Sequence, residues 1–218
     1  MKFENTSVYN IYNAILGARN PHESWNRSDS IFKGYNGKIE NTVIGENDLK
    51  LLQSLIKAGS EHRKFMRQIG VSVIITAPLF FFKEFDTYKV GTVANSTSTM
   101  HKLASTPITK ECFEMGDFND VYLGSEDFDF PLKSSWDSLI NDLEFLRKKY
   151  NETKDKRYWK ELIRMLPESW LQKRTITMNY ENVLNMVHQR KNHKLTEWSE
   201  SFIEWARSLP YAGELLFL

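Results

Sequence analysis

An α+β domain is what this sequence predicts, and three observations carry the expectation. Ile69, Val71, Val73 and Ile75 alternate with Gly70, Ser72, Ile74 and Thr76, the period-two pattern of a strand with at least one buried face. Residues 174–180 form a second stretch that is β-branched enough to be extended. Elsewhere apolar residues recur at intervals of three and four, as they do on helices. With 218 residues, 41% of them hydrophobic, one domain with a sizeable core suffices and two are not required.

Taken in order, Val8, Ile11, Tyr12, Ile15 and Leu16 predict an amphipathic helix over residues 6–18, with Thr6 or Ser7 as its cap. Residues 20–45, broken by Pro21, Gly34 and Gly37, read as loop. Leu49, Leu51, Leu52, Leu55 and Ile56 make a helical stripe, with Asn47 as N-cap and Gly59 where a left-handed residue belongs. Pro78 stops the strand over 69–76, and its fixed φ suits the first turn of a helix. Leu79, Phe80, Phe81, Phe82 and Phe85 therefore predict a short helix packed into a core. Residues 90–101 are small or hydrogen-bonding and read as a loop. Trp136, Leu139, Ile140, Leu143, Leu146 and Tyr150 give a core helix capped by Ser134 and Ser135. Tyr158 to Leu166 form another, ended by Pro167. Val183, Leu184 and Val187 lie on one helical face, and Leu195, Trp198, Phe202, Ile203, Trp205 and Ala206 occupy a last helix.

Composition narrows the function. A net charge of +1 lacks the basic footprint of a dedicated nucleic-acid binder. The thirteen Lys and Arg against five Asp and Glu between Arg147 and Lys194 could offset the acidic excursion over 105–132 or attract phosphates, and most of them individually read as solvated helix faces. Cys112 stands alone, which excludes an internal disulfide and a zinc site of paired cysteines and points to a reducing, cytoplasmic setting. No stretch has the length of a membrane span, and the N-terminus lacks a signal-peptide core. Residues 105–132 carry seven acidic side chains (Glu111, Glu114, Asp117, Asp120, Glu126, Asp127 and Asp129); no spacing matches a calcium loop, so a solvated excursion and no metal is the expectation. The phosphate-binding loop, the Gly-x-Gly-x-x-Gly fingerprint, His-Glu-x-x-His and Gly-x-Ser-x-Gly are all missing. Ser98 and His101, three apart in a polar loop, make a weak case for a serine nucleophile.

A distributed pattern rises above this background. Thr87-Tyr88-Lys89 is followed after seven residues by Thr97, with His62 and Ala77-Pro78 upstream and Lys102-Leu103 closing the loop. Downstream come Leu166-Pro167, Asn179, Asn185 and Arg190. This resembles the flavin-dependent thymidylate synthases, whose signature is Arg-His-Arg, seven residues, then Ser. The resemblance covers roughly residues 8–104 and 157–208. Thr87-Tyr88-Lys89 stands at the Arg-His-Arg, Thr97 at the Ser, and Asn95 at the glutamate of the same loop. Departures are the loss of all but one charge in Arg-His-Arg, Thr99 where the family has a phosphate-gripping arginine, and Glu84 where it has glutamine.

The resemblance implies a single domain over residues 1–218, its central and mostly antiparallel sheet flanked by helices, with the acidic segment 105–132 as an insertion. It implies reductive methylation of dUMP to dTMP with methylene-tetrahydrofolate and NADPH, or a flavoenzyme on the same scaffold acting on a related pyrimidine nucleotide. The alternative is a nucleotide-binding or assembly protein of the same fold without redox catalysis. It further implies FAD at the subunit interfaces of a homotetramer and a pyrimidine deoxynucleotide as partner. By position, Arg190 and Thr97 would be catalytic. His62, Thr87, Tyr88, Lys89, Asn95, Asn179 and Asn185 would hold the flavin, and Glu84, Thr97, Ser98, Thr99 and Arg190 the nucleotide. Arginine's planar fork near a pyrimidine carbonyl suits negative charge building on the ring. Neutral amides suit the carbonyl and N–H edges of an isoalloxazine.

Overall fold

The computed structural model describes residues 1–116, 122–125 and 128–218. Asp117, Asp120, Glu126 and Asp127 of the acidic stretch lie outside the described residues, as do the side chains of 122–125 and 128–133. The chain forms an α+β domain with a six-stranded mixed sheet flanked by helices, within which two compact units are distinguished. One comprises residues 1–75, 84–95 and 174–218, the other residues 76–83 and 96–173. Among the described residues no helix is long and apolar enough to cross a membrane.

Most residues of the sheet belong to the first unit. The sheet's strands are β1 (Lys2–Tyr9), β2 (Ile31–Asn36), β3 (Ile39–Val43), β4 (Gly70–Pro78), β5 (Val93–Ser96) and, late in the chain, β8 (Leu171–Asn179), in the order β2-β3-β1-β4-β8-β5. Residues 76–78 of β4, Ser96 of β5 and residues 171–173 of β8 belong to the second unit. β2 and β3 pair antiparallel, while β1 and β3 run parallel with Val8 opposite Ile39. In β4 the predicted alternation is observed: Val71, Val73, Ile75 and Ala77 are buried, Ser72, Ile74 and Thr76 only partly so. Pro78 closes that strand and α3 (Leu79–Phe85) follows at once, with Phe81, Phe82 and Phe85 buried.

Around the sheet lie α1 (Ile11–Arg19), α2 (Glu46–Lys57), α7 (Tyr180–Arg190), α8 (Ile203–Arg207), preceded by a π-helical segment over Glu197–Phe202, and α9 (Ala212–Leu215). Residues 6–9 are strand, and the first helix starts at Ile11 behind Asn10, whose φ of 69° turns the chain out of β1. Asn10 has no side-chain cap bond; instead the Glu40 carboxylate accepts the N–H groups of Ile11 (3.0 Å) and Tyr12 (2.8 Å). Val8 misled the helical count, being fully buried by the sheet.

The expected loop over 20–45 contains the β2–β3 hairpin, turned at Gly37 with φ +64°. Asn36-Gly37 between β-branched and aromatic residues is the local signal for it. Asn47 does not cap α2 either. It sits in the first turn, where Asp29, from the loop before β2, accepts the N–H groups of Asn47 and Asp48. Gly59, with φ +103°, takes the left-handed place expected past that helix. The last helix begins as a π-helical segment, one residue wider per turn than an α-helix.

The second unit contains α4 (Thr99–Lys102), the antiparallel strands β6 (Tyr122–Ser125) and β7 (Phe128–Pro131), α5 (Leu132–Thr153) and α6 (Lys156–Met165). Its core is Leu103, Ile108, Phe113, Ile140, Leu143 and Leu162, with Trp136 and Trp170 packed against it. Ile108 and Phe113 belong to the stretch expected to be solvated, and their burial shows that part of it is core. Ser134 and Ser135 fall inside α5, which starts at Leu132, and residues 93–96 and 99–102 are a strand and a helix within the expected loop.

Candidate functional site

In the first unit, six side chains converge where α3 and α7 end. Arg190, on the last turn of α7, places Nη1 2.8 Å from Glu84 Oε2 on α3. Its Nε donates to the Tyr88 hydroxyl at 2.9 Å. The guanidinium carbon lies 5.6 Å from the Tyr88 ring centre and 5.2 Å from that of Trp198, so two π faces flank the charge. His193 brings Nε2 within 3.2 Å of the same Glu84 oxygen, and the Tyr88 hydroxyl donates to Gln189 at 2.8 Å. Trp198 is fully buried and continues a ring series through Phe202 and Trp205 to Phe3, at centroid distances of 5.1, 5.4 and 5.0 Å.

Arg190 is thus not part of a solvated basic run; its side chain is 18% exposed. Its neighbours Glu84 and His193 line a cavity of about 630 Å³, together with His188, Gln189, Asn192 and Lys194. Two of the guanidinium's nitrogens are engaged, and Nη2 has no hydrogen-bond partner among the described residues. An open planar donor next to a carboxylate and an imidazole can bind a carbonyl or phosphate oxygen while the acid accepts an N–H.

The sequence-predicted residues fall around this cluster or apart from it. Asn179 closes β8 and caps α7: its side chain accepts the Asn182 N–H, while Asn182 Oδ1 accepts the Asn179 N–H, a reciprocal capping box. Asn182 Nδ2 donates to Val90 O at 2.7 Å, which ties the 88–92 loop to α7. Gly91 in that loop has φ +80°, and a Cβ there would stand 2.9 Å from Asn179 Nδ2. Asn179 Nδ2 itself donates no bond among the described residues, and Lys89 is exposed with no partner among them.

Thr87 is exposed and donates to the Glu84 carbonyl. Asn95 is exposed on β5. Asn185 accepts from Arg63 at 3.1 Å, in a group where Glu181 pairs with both Arg63 and Arg67. Burial would raise the Glu181 carboxyl's pKa, but the hydrogen bonds from Arg67 and Arg63 hold it below the usual carboxylate range. His62, exposed, sits at the turn leading to these arginines and donates its N–H to the Gly59 carbonyl.

In the second unit, the Thr97 N–H donates to Lys173 O at 2.9 Å, and its hydroxyl accepts the Lys173 N–H. Ser98 is the N-cap of α4, accepting the His101 N–H, and Thr99 is that helix's first residue. Sequence reasoning missed His193 and Trp198 as parts of the Arg190 cluster. His193 stood in a polar run, and Trp198 was read only as a core residue.

No protein-family model matches the chain, and no curated protein matches it in sequence. Among solved structures it is similar to the flavin-dependent thymidylate synthase ThyX of Helicobacter pylori complexed with FAD and dUMP, with a TM-score of 0.67 at 17% identity, over 100% of this chain and 98% of that one. A second structure of that organism's thymidylate synthase X, also with FAD and dUMP, gives 0.65 at 17% identity over 98% and 96%. The fold is therefore theirs from end to end.

Proposed function

We propose that this protein is a flavoenzyme on the thymidylate synthase scaffold that binds a pyrimidine deoxynucleotide at Arg190. The reading is supported most by one observation: a guanidinium clamped by Glu84, Tyr88 and Trp198 keeps one amino group open while Glu84 lines a cavity, in a chain that matches FAD- and dUMP-bound structures along its whole length.

The donor set fits the groups it would hold. Arg190 Nη2, Asn179 Nδ2 and Lys89 are donors without partners among the described residues, and carbonyl and phosphate oxygens are what a flavin nucleotide and dUMP present. Bound FAD would supply hydride transfer, with NADPH as reductant and methylene-tetrahydrofolate as carbon donor. Arg190 would orient the pyrimidine and stabilise negative charge on its carbonyl oxygen, in a setting where the Tyr88 and Trp198 rings exclude water. Glu84 would fix the guanidinium plane, and Asn179 and Lys89 would meet the flavin. Thr87, Tyr88, Asn95, Asn185 and His62 complete the proposed cofactor contacts, and Thr97, Ser98 and Thr99 the proposed nucleotide contacts. A tetramer with shared sites belongs to the same proposal.

A second reading, nucleotide binding without redox chemistry, draws on Lys89, a point charge where the related signature carries two arginines. One experiment divides the two: visible absorption of the purified protein titrated with FAD, then dUMP, with NADPH oxidation followed. A flavin spectrum that shifts with dUMP and bleaches with NADPH supports the enzyme. dUMP binding without FAD uptake supports the second reading, and binding of neither removes both.

A further inference from the structure

The β2–β3 hairpin and the start of α1 build a second cavity in the first unit, of about 330 Å³, lined by Tyr9, Tyr12, Phe32, Tyr35, Asn10 and Glu40 among others. We infer that it is a binding site for a quaternary or otherwise alkylated ammonium group, held by the contacting rings of Tyr12, Phe32 and Tyr35 with Tyr9 and Glu40 in the same lining.

Four observations carry this. The rings meet at the angles a cage needs: Tyr12 and Phe32 are 6.0 Å apart and tilted by 39°, and Phe32 and Tyr35 are 6.1 Å apart and nearly perpendicular. An alkylated ammonium placed among such faces is held by their quadrupoles while its methyl groups bury apolar surface. Second, the lining contains one acidic side chain and no Lys or Arg, so the local field favours a cation. Glu40 is 4% exposed and fixed by the N–H groups of Ile11 and Tyr12 and by the Thr42 hydroxyl, so it cannot swing out to make a salt bridge with solvent-borne groups. It acts through its field, which suits a ligand without N–H donors.

Third, the rings are open to a ligand: Tyr9, Phe32 and Tyr35 are 37%, 48% and 58% exposed. Fourth, the backbone makes room for the cage. A Cβ on Gly70 would stand 2.2 Å from Tyr9 Cζ, so only glycine on β4 lets that ring lie flat there.

The probe is choline, compared with 3,3-dimethylbutanol, its uncharged isostere, by ligand-observed NMR and calorimetry on the full chain. A peptide carrying trimethyllysine against the same peptide with lysine distinguishes a protein-borne ammonium from a free one. Choline or the trimethyllysine peptide should bind at least about tenfold more tightly than its partner compound, the range expected of a desolvated cation on aromatic faces. Phe32→Ala and Tyr35→Ala, at exposed positions, should abolish binding with an unchanged melting temperature. Equal binding of choline and its isostere, no binding of either ammonium, or full binding by Phe32→Ala would overturn the assignment. None of these readouts depends on FAD or dUMP, so they fail independently of the proposed enzyme.

Discussion

Arg190 shares its charge with Glu84, and its worth to a ligand rests on the one amino group left open. Arg190→Ala should weaken dUMP binding by about 1.5–3 kcal/mol, or roughly 10- to 150-fold, as loss of a charged hydrogen bond does. Calorimetry reads this directly, and an unchanged affinity would leave Arg190 as the structural end of the ring series from Tyr88 to Phe3. Asp48 is the converse case, a residue whose role is internal. Fully buried, it accepts from Arg19 at 2.6 Å, from the hydroxyls of Ser28 and Ser30 and from the Ser30 N–H. Asp48→Ala strands the Arg19 guanidinium in the interior and should cost about 3–5 kcal/mol, seen as a lower urea midpoint. Of these two residues only Arg190 was singled out in the sequence, through its place in the pattern that resembles the flavin-dependent thymidylate synthases. Asp48 has partners about 20 and 30 positions away in segments without periodicity, and pairwise chemistry at that range leaves no pattern to count.

Among the elements, α7 is fixed at its start by the Asn179–Asn182 capping box. Asn179→Ala should destabilise by about 1 kcal/mol, while Asn179→Ser should keep the cap and lose only the amide donor. Comparing urea midpoints with FAD uptake for the two variants separates cap from cofactor contact. If Ser also lost stability, the cap would not be the source. β4, α3 and α7 were readable because burial imposes a period on each. The β2–β3 hairpin was not, because its outer strand is exposed along its length and Gly34 (φ +83°) falls within the register irregularity between Phe32 and Tyr35. The same exposure left Tyr9, Phe32 and Tyr35 without any sign that they share a cavity.

For the whole molecule, acid should act on carboxylates in both units. Glu144 in α5 is held at about 2, against the ordinary 4.5, chiefly by the two-pronged hydrogen bond from Arg147, opposed by burial and helped by the Ile108 N–H. Asp48 in the first unit is also lowered: burial raises it, and the bonds from Ser30, Ser28 and Arg19 together outweigh that. A carboxyl whose folded pKa is depressed binds its proton more readily when unfolded. Its contribution is therefore complete above the unfolded value and lost as pH falls through the folded one. Stability measured in urea should decline between about pH 4.5 and about pH 2, and Glu144→Gln should flatten part of that decline while lowering stability at neutral pH. A decline of the same slope in Glu144→Gln would show the pair to be inert.

Tyr211, held at φ +54°, donates its hydroxyl to the Thr42 carbonyl at 2.8 Å and accepts the Ile44 N–H at 2.9 Å. The end of β3 thus finds its partner 169 residues later in the chain. At ribosomal speeds of about 5–20 residues per second, the end of β3 waits roughly 8–34 s before that clasp arrives. Over that interval the Thr42 carbonyl and the Ile44 N–H lack the Tyr211 hydroxyl, so the end of β3 gains this partner only when nearly the whole chain has been made.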